Sequence, residues 1–231
     1  PLCYSPKPML PERRPEVSRL EAFSDAAFAF ALTLLVVSLD VPQSYDQLMQ
    51  IMRGFPSFAC CFALLVWIWY EHNVFFRRYG LHDSWTVFVN GMLLFVTLFY
   101  VYPLKFMFDS MFAQFMPAAY PHLKRMSLVE LSRASAIYGF GFLVLFSLFA
   151  LLYRHAYKRR VALGLTPLEV FDVKMYAGHH VVSATVGLVA LLVAVAGPLA
   201  LAPISPSCFA LMGPGHWWFG SRVDKRRRAL L

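Results

Sequence analysis

Long apolar stretches, separated by short polar and often basic segments, run through most of the chain. A helix needs about 20 apolar residues to cross the roughly 30 Å hydrocarbon core of a bilayer, and several stretches reach that length. Lipid offers no partner to exposed backbone groups, so a spanning segment must be a helix or part of a closed barrel. Barrel strands would alternate over about 10 residues, whereas these stretches are continuously apolar. The pattern therefore predicts an all-α integral membrane protein with six transmembrane helices, at about 22–39, 54–76, 87–104, 134–153, 177–198 and 203–220.

The sixth window is the weakest, because Pro203, Pro206 and Pro214 interrupt it. Basic residues cluster before the first span, after the second, between the fourth and fifth, and at the end of the chain. Cytoplasmic loops carry an excess of Lys and Arg, so six spans with both termini cytoplasmic satisfy this charge pattern. We expect a multi-pass protein of the cell membrane, with a cytoplasmic segment at 1–18, a six-helix membrane domain at 19–221 and a basic cytoplasmic tail at 222–231. The long connection at 105–133 is expected to hold a short interfacial helix.

Composition agrees with this interpretation. Of the 231 residues, 59% are hydrophobic and only 15% are charged, which is too apolar for an ordinary soluble domain. The net charge of +8 could suggest nucleic acid, but the basic residues lie between the apolar runs rather than along one amphipathic face. The four cysteines form no Cys-x-x-Cys pair, so we predict no metal site and no cofactor. Membrane lipid is the expected partner, and nucleic acid is not.

One face of the first span carries a narrow stripe of residues at helical spacing. The stripe consists of Phe23, Ala26, Phe30, Thr33 and Val37, and it continues towards Asp40. A hydroxyl in the middle of a membrane suits a pore wall. A helix-packing seam of small and apolar residues is the alternative, and it is the more common use of such a stripe.

Polar residues also occur at the start of the first span and near the end of the second. Ionisable side chains at membrane depth usually face protein or water and find a partner. Trp69 and His72 place an indole N–H and an imidazole on adjacent turns of the second span. We predict that Arg19, Ser24 and Asp25 form a buried polar clasp with Trp69 and His72. A histidine at the headgroup boundary is the alternative interpretation of His72.

These residues carry a family resemblance. The run Arg19-x-x-x-Phe23-Ser24-Asp25, followed by Ala29-Phe30 and Thr33-Leu34-Leu35-Val36, resembles the signature that opens the pore helix of the transmembrane protein 175 family of potassium channels. Trp69-x-x-His72 resembles the second marker of that family. The chain contains one copy of the opening motif, as in the single-repeat prokaryotic members.

The resemblance implies a potassium-permeable leak channel, assembled as a homotetramer around a central pore that the first helix of each chain lines. The narrowest point, usually Ile or Leu in the family, would fall on Phe30, with a polar ring one turn further at Thr33. K⁺ is then the permeant ion. Asp40 is expected near the outer mouth, or else as an exposed loop carboxylate.

Other functions have weaker signals. Tyr138-Gly139-Phe140-Gly141 matches the end of a potassium-channel filter in spacing, but it lies within an uninterrupted apolar span, where small residues serve helix packing. A histidine-dependent membrane enzyme is an alternative class. The seven histidines form no repeated boxes, and only His179-His180 invites a metal interpretation. A secondary transporter would have paired broken helices in two halves. We therefore expect a channel and not an enzyme.

Overall fold

The computed structural model describes residues 17–39, 41–121, 123–124 and 126–228, with side chains up to residue 222. Its α-helices, in chain order, are α1 (Arg19–Val37), α2 (Tyr45–Arg53), α3 (Phe55–Tyr79), α4 (Ser84–Ala113), α5 (Leu128–Lys158), α6 (Pro167–Ala196), α7 (Ile204–Ser207) and α8 (Met212–Arg228). The described residues contain no strand. Five helices, α1, α3, α4, α5 and α6, are long and apolar enough to cross a membrane.

These five helices coincide with the first five predicted spans, so the all-helical membrane architecture is confirmed. The sixth predicted span, 203–220, is not among them. It consists of α7, a 3₁₀ segment at Cys208–Leu211 and the first half of α8. In the connection at 105–133, α4 continues to Ala113 and α5 begins at Leu128, and the only helix between them among the described residues is a 3₁₀ turn at Pro117–Ala119. The short extra helix is instead α2, which lies between α1 and α3.

Local sequence signals begin the long helices. Ser18, Ser127 and Thr166 cap α1, α5 and α6, each in a capping box with a glutamate three residues later. The Asp83 carboxyl caps α4 by accepting the backbone N–H groups of Trp85 and Thr86. Gly80 ends α3 with φ of 53°, a left-handed conformation that favours glycine. These caps satisfy backbone donors that a helix end would otherwise leave unpaired.

Contacts between helix ends bring the main basic segments to one end of the molecule. His155, near the end of α5, contacts Asp83 at the start of α4, with 2.7 Å between Nε2 and Oδ2. The Arg78 guanidinium, at the end of α3, lies 4.7 Å from the centroid of the Tyr176 ring on α6. The end of α3, the start of α4, the end of α5 and the start of α6 therefore share one end of the bundle, called here the basic end.

The segment after α6 follows α6 back towards the basic end. Ser205 donates its hydroxyl to the backbone oxygen of Ala190 at 2.8 Å, and further along His216 lies 2.9 Å from the hydroxyl of Ser183. The Phe219 ring then packs edge-on against His179, with centroids 4.9 Å apart. As the segment advances, its contacts move backwards along α6, so it runs antiparallel to α6.

The interior has two kinds of packing. A large aromatic cluster fills the space where α3 and α5 meet, with Phe75, Phe76, Phe149 and Tyr153 fully buried. Along α5 and α6, glycines allow the backbones to touch. A Cβ on Gly139 would lie 2.8 Å from the backbone nitrogen of Leu191, and one on Gly187 would lie 2.7 Å from that of Leu143.

Candidate functional site

The first helix has two opposite faces. Ser24, Phe28, Ala31 and Leu35 lie on one face and are buried against α3 and α4. The predicted stripe lies on the other face, and all of its described members are exposed in the single chain, namely Phe23, Ala26, Phe30, Thr33 and Val37. Their spacing of three and four residues places them in one line on the helix.

Exposure within this line is large for apolar side chains. Phe23 is 65% exposed, Phe30 57% and Val37 67%. The Thr33 hydroxyl donates to the backbone oxygen of Ala29 at 2.9 Å, so its hydrogen is used within the helix. The oxygen lone pairs of Thr33 stay accessible on the exposed face. The stripe is therefore not a packing seam among the described residues, because none of the described helices covers it.

Asp25 and Trp69 are brought together in the structure. The indole Nε1–H of Trp69 donates to Oδ1 of Asp25 at 2.8 Å, which joins the first turns of α1 to the middle of α3. The carboxyl of Asp25 thus has a protein donor at the depth where the helix becomes apolar. This contact connects the two motifs that carry the family resemblance.

A second chain of hydrogen bonds connects α1, α3 and α4. The Ser24 hydroxyl donates to the backbone oxygen of Leu20 at 2.8 Å and accepts from Nδ2 of Asn90 at 2.9 Å. Oδ1 of Asn90 lies 2.7 Å from Nε2 of His72. An amide oxygen can only accept, so the geometry assigns the proton to Nε2 of His72. Asn90 therefore joins Ser24 and His72, which do not contact each other directly.

The imidazole of His72 is enclosed on its other sides by aromatic rings. The Phe28 ring stands edge-on to it with centroids 5.4 Å apart, and the Phe76 ring lies at 4.5 Å. His72 is 1% exposed, so it lies in the interior of the bundle and not at a headgroup boundary. Its Nδ1 atom finds no hydrogen-bond partner among the described residues.

Two predicted residues lie apart from this network. Arg19 is exposed, and it forms no hydrogen bond or ion pair with another described residue, so the structure does not bring it into contact with Asp25, Trp69 or His72. Asp40, predicted near an outer mouth, lies outside the described residues. Sequence reasoning missed Asn90, although an amide in the middle of a long apolar run was a signal that could have identified it.

The residues that could suggest a potassium-channel filter or a metal site take part in contacts between helices. Gly139 lies within α5 and faces α6, and a Cβ on Gly141 would lie 2.1 Å from the Tyr100 ring. The Tyr138–Gly141 segment is thus continuous helix, without the loop that a filter needs. His179 pairs with His216 at 2.9 Å between their Nδ1 atoms, and the described residues contain no group of three metal-ligating side chains.

Comparisons with known proteins agree with the motifs. The sequence model of the family described as "Endosomal/lysosomal potassium channel TMEM175" matches residues 19–100. A potassium channel of Marivirga tractuosa is 36% identical over 95% of this chain and 92% of its own length. A potassium channel of Chamaesiphon minutus is 32% identical over 38% of this chain and 47% of its own length.

Solved structures extend the similarity to the fold. A crystal structure of a variant of the potassium channel MtTMEM175, in complex with a nanobody–MBP fusion, superimposes with a TM-score of 0.84 at 33% identity, over 95% of this chain and 98% of that one. A crystal structure from Chamaesiphon minutus, described as a homologue of the lysosomal potassium-selective channel TMEM175, shares the fold with a TM-score of 0.55 at 24% identity. The chain therefore belongs to the TMEM175 family of potassium channels.

Proposed function

We propose that this chain forms a potassium-permeable leak channel whose pore is lined by the exposed stripe of α1. The observation that carries the proposal is the contrast between the two faces of that helix. One face is fully used in packing within the chain, and the other exposes three large apolar side chains in a line with a hydroxyl. Potassium as the permeant ion is supported by the names of the relatives.

Several copies of the chain are needed for this function. One helix cannot enclose an aqueous path, so the stripe must face equivalent stripes from other copies around an axis. We propose a homotetramer, as the family resemblance implies, in which cyclic symmetry brings the same residue of each copy to the same height. No cofactor takes part in this arrangement.

Phe30 is proposed as the constriction, and Thr33 and Val37 continue the wall one and two turns along. Four phenylalanine rings converging on an axis would exclude water and gate ions by dewetting. Hydroxyl oxygens of Thr33 would meet a partly dehydrated ion immediately beyond the rings. Asp40 is proposed near the outer mouth, where four carboxylates would concentrate cations at low ionic strength.

The hydrogen-bonded clasp has a structural role in this proposal. Asp25 with Trp69, and Ser24 with His72 through Asn90, fix the rotation of α1 about its own axis. That rotation decides which residues face the pore. Arg19, which is exposed at the start of the helix, would extend towards lipid headgroups.

The orientation follows from charge. We propose that the basic end of the bundle faces the cytoplasm of the cell membrane, because Lys and Arg accumulate on that side of spanning helices. The segment after α6 runs antiparallel to α6, which supports a sixth, broken crossing over about 203–220 within the channel domain at 19–221. Both termini would then be cytoplasmic, and the tail at 222–231 would carry its basic residues on that side.

Ion flux from liposomes tests the function. Vesicles that contain the purified protein should release K⁺ faster than Na⁺, and Phe30→Ala should increase the total flux and lower the ratio of K⁺ to Na⁺ permeability. Phe140→Ala is the matched control, because Phe140 is also exposed, at 54%, on α5. Reversal potentials under bi-ionic conditions measure the ratio. An unchanged current and ratio for Phe30→Ala would remove Phe30 from the pore, and no cation flux from wild-type vesicles would refute the channel.

A further inference from the structure

Two grooves meet on the outer surface of the bundle near the end of α5. The first has a volume of about 600 Å³ and runs between α5 and α6. The second, of about 620 Å³, lies between α5 and Trp85 at the start of α4. They share Leu151 and Arg154, so they form one branched depression at the basic end.

The first groove exists because its floor is made of small side chains. Ser147 and Ala150 on α5 face Ala177 and Ala184 on α6. They lie nearer the basic end than Gly139 and Gly187, which bring the two backbones into contact. On α5 the lining extends from Leu143 to Tyr157, a rise of roughly 21 Å. Its uncharged part, from Leu143 to Leu151, rises by roughly 12 Å, which fits within one leaflet of a hydrocarbon core of about 30 Å.

Cationic side chains surround only the outer end of the depression. Arg154 and Lys174 line the first groove at this end, and Lys158 and Arg159 line the second. Arg154, Lys158 and Arg159 form no ion pair with any described residue. The Asp83 carboxyl contacts His155 and interacts with Arg159 only at longer range.

An aromatic ring helps to hold part of this cluster in place. The Nζ atom of Lys174 lies 4.8 Å from the centroid of the Tyr157 ring, and the Arg160 guanidinium lies 4.6 Å from the same ring. Cation–π contacts restrict long side chains without neutralising their charge. The outer end of the depression is therefore a preorganised, positively charged site next to the apolar first groove.

We infer that this branched depression binds one anionic phospholipid. The phosphate group lies among Arg154, Lys158, Arg159 and Lys174, where the second groove meets the first, and an acyl chain occupies the apolar first groove. Charge complementarity selects an anionic headgroup, and juxtamembrane cations attract such lipids. The apolar walls along one leaflet select acyl chains, which a soluble phosphate lacks. A second copy of the chain is not the occupant, because the face of α1 that would meet other copies lies on a helix that packs on α3 and α4, away from α5 and α6.

Native mass spectrometry of the purified full-length protein in detergent tests this site. Dioleoylphosphatidylglycerol and dioleoylphosphatidylcholine, which have the same acyl chains, are added in equal amounts, and the adducts that survive detergent removal are counted. We expect preferential retention of phosphatidylglycerol. The double variant Arg154→Gln/Lys174→Gln should lower that preference by about 25-fold, or about fivefold for each charge removed. Equal retention of both lipids by the wild type would overturn the inference.

Two further variants separate the lipid site from general charge and from a site for phosphate alone. Arg133→Gln removes an exposed cation from the other end of α5 and should leave the preference unchanged. Thr185→Trp fills the first groove from an exposed position and should reduce phosphatidylglycerol retention, because an acyl chain loses its place. A loss with Arg133→Gln equal to that of the double variant would refute a local site. Full retention of phosphatidylglycerol by Thr185→Trp would refute the presence of an acyl chain in the first groove. Displacement of the lipid by soluble glycerol phosphate would refute it as well.

Discussion

The first and second parts of the bundle are held together by different interactions. Where α1 meets α3 and α4, buried polar side chains connect the three helices through Asp25–Trp69 and through Ser24–Asn90–His72. Where α5 meets α6, glycines bring the backbones together, and the Ser132 hydroxyl adds a hydrogen bond to the backbone oxygen of Ala194. The Asp25–Trp69 and Ser24–Asn90–His72 contacts lie in the part that also contains the exposed stripe.

The two kinds of contact have different roles: one fixes the orientation of a helix, and the other holds two helices together. Hydrogen bonds are directional, so they specify the rotation of a helix about its axis, whereas close packing of small residues depends mainly on shape. The helix proposed to line the pore must present one face in every copy, and directional contacts with α3 and α4 hold that helix. The family sequence model covers residues 19–100, which include that polar part and exclude α5 and α6.

Adding one methyl group to the α5–α6 contact should have the largest effect on stability. Gly187→Ala places a Cβ 2.7 Å from the backbone nitrogen of Leu143, so the helices must separate, and we expect a loss of about 1–3 kcal/mol. The matched control is Gly91→Ala in α4, where a Cβ meets nothing within 4 Å. The control should gain about 0.5–1 kcal/mol because alanine favours helix. Thermal unfolding in detergent measures both, and equal stability of the two variants would refute the close-contact role.

Removing the central amide of the polar network should have the next largest effect. Asn90→Leu keeps a side chain of similar size but removes the bonds to Ser24 and His72, so we expect a loss of about 1–2 kcal/mol. Thr97→Val is the control, because the buried hydroxyl of Thr97 bonds only within its own helix, to Leu93. Because the network sets the rotation of α1, Asn90→Leu should also change ion selectivity, whereas Gly187→Ala should not. A selectivity change with Gly187→Ala alone would reverse the comparison.

A smaller effect is expected from the contact between Asp25 and Trp69. Trp69→Phe retains an aromatic ring and removes the N–H that donates to Asp25, with an expected loss of about 1 kcal/mol. Trp218→Phe, at a side chain that is 51% exposed, serves as control. Crosslinking followed by electrophoresis should show fewer assembled copies for Trp69→Phe than for the control. Unchanged assembly and stability would mean that this contact does not hold α1.

The smallest effect concerns a helix cap outside the spanning segments. Partial burial raises the pKa of the Asp83 carboxyl, but the hydrogen bond from His155 and the backbone N–H of Thr86 together hold that pKa below its ordinary value. A lowered pKa means that the stabilisation is present above the unfolded pKa of about 3.9 and is lost as the pH falls through the folded pKa. Asp83→Ala should therefore lower the stability by about 1 kcal/mol near neutral pH, and the difference from wild type should diminish in acid.

The variant Asp83→Asn distinguishes the effect of the helix cap from the effect of the carboxylate charge. Asparagine caps helices about as well as aspartate, so this variant should keep most of the stability and lose the acid dependence. Unfolding temperatures of wild type and both variants, measured across this acidic range, test the assignment. A pH dependence that persists in Asp83→Asn would show that another group causes it.

Much of the architecture was predictable from the sequence. Continuous apolar runs of about 20 residues determine spanning helices because lipid forces backbone groups to bond within the segment. The stripe on α1 was predictable from spacing alone, and the pairing of Asp25 with Trp69 was expected from the cost of an ionisable group at membrane depth. The helix ends also follow from local signals such as the capping boxes.

The tertiary structure decided which side chains share a contact. It inserted Asn90 between Ser24 and His72, left Arg19 outside the network, and made the region after α6 a broken segment instead of a sixth long helix. It also turned Gly139, which resembles part of a filter in sequence, into a packing residue against α6. Sequence periodicity specifies the faces of each helix, but the meeting of two faces depends on the rotation and crossing of whole helices, which only the packed bundle determines.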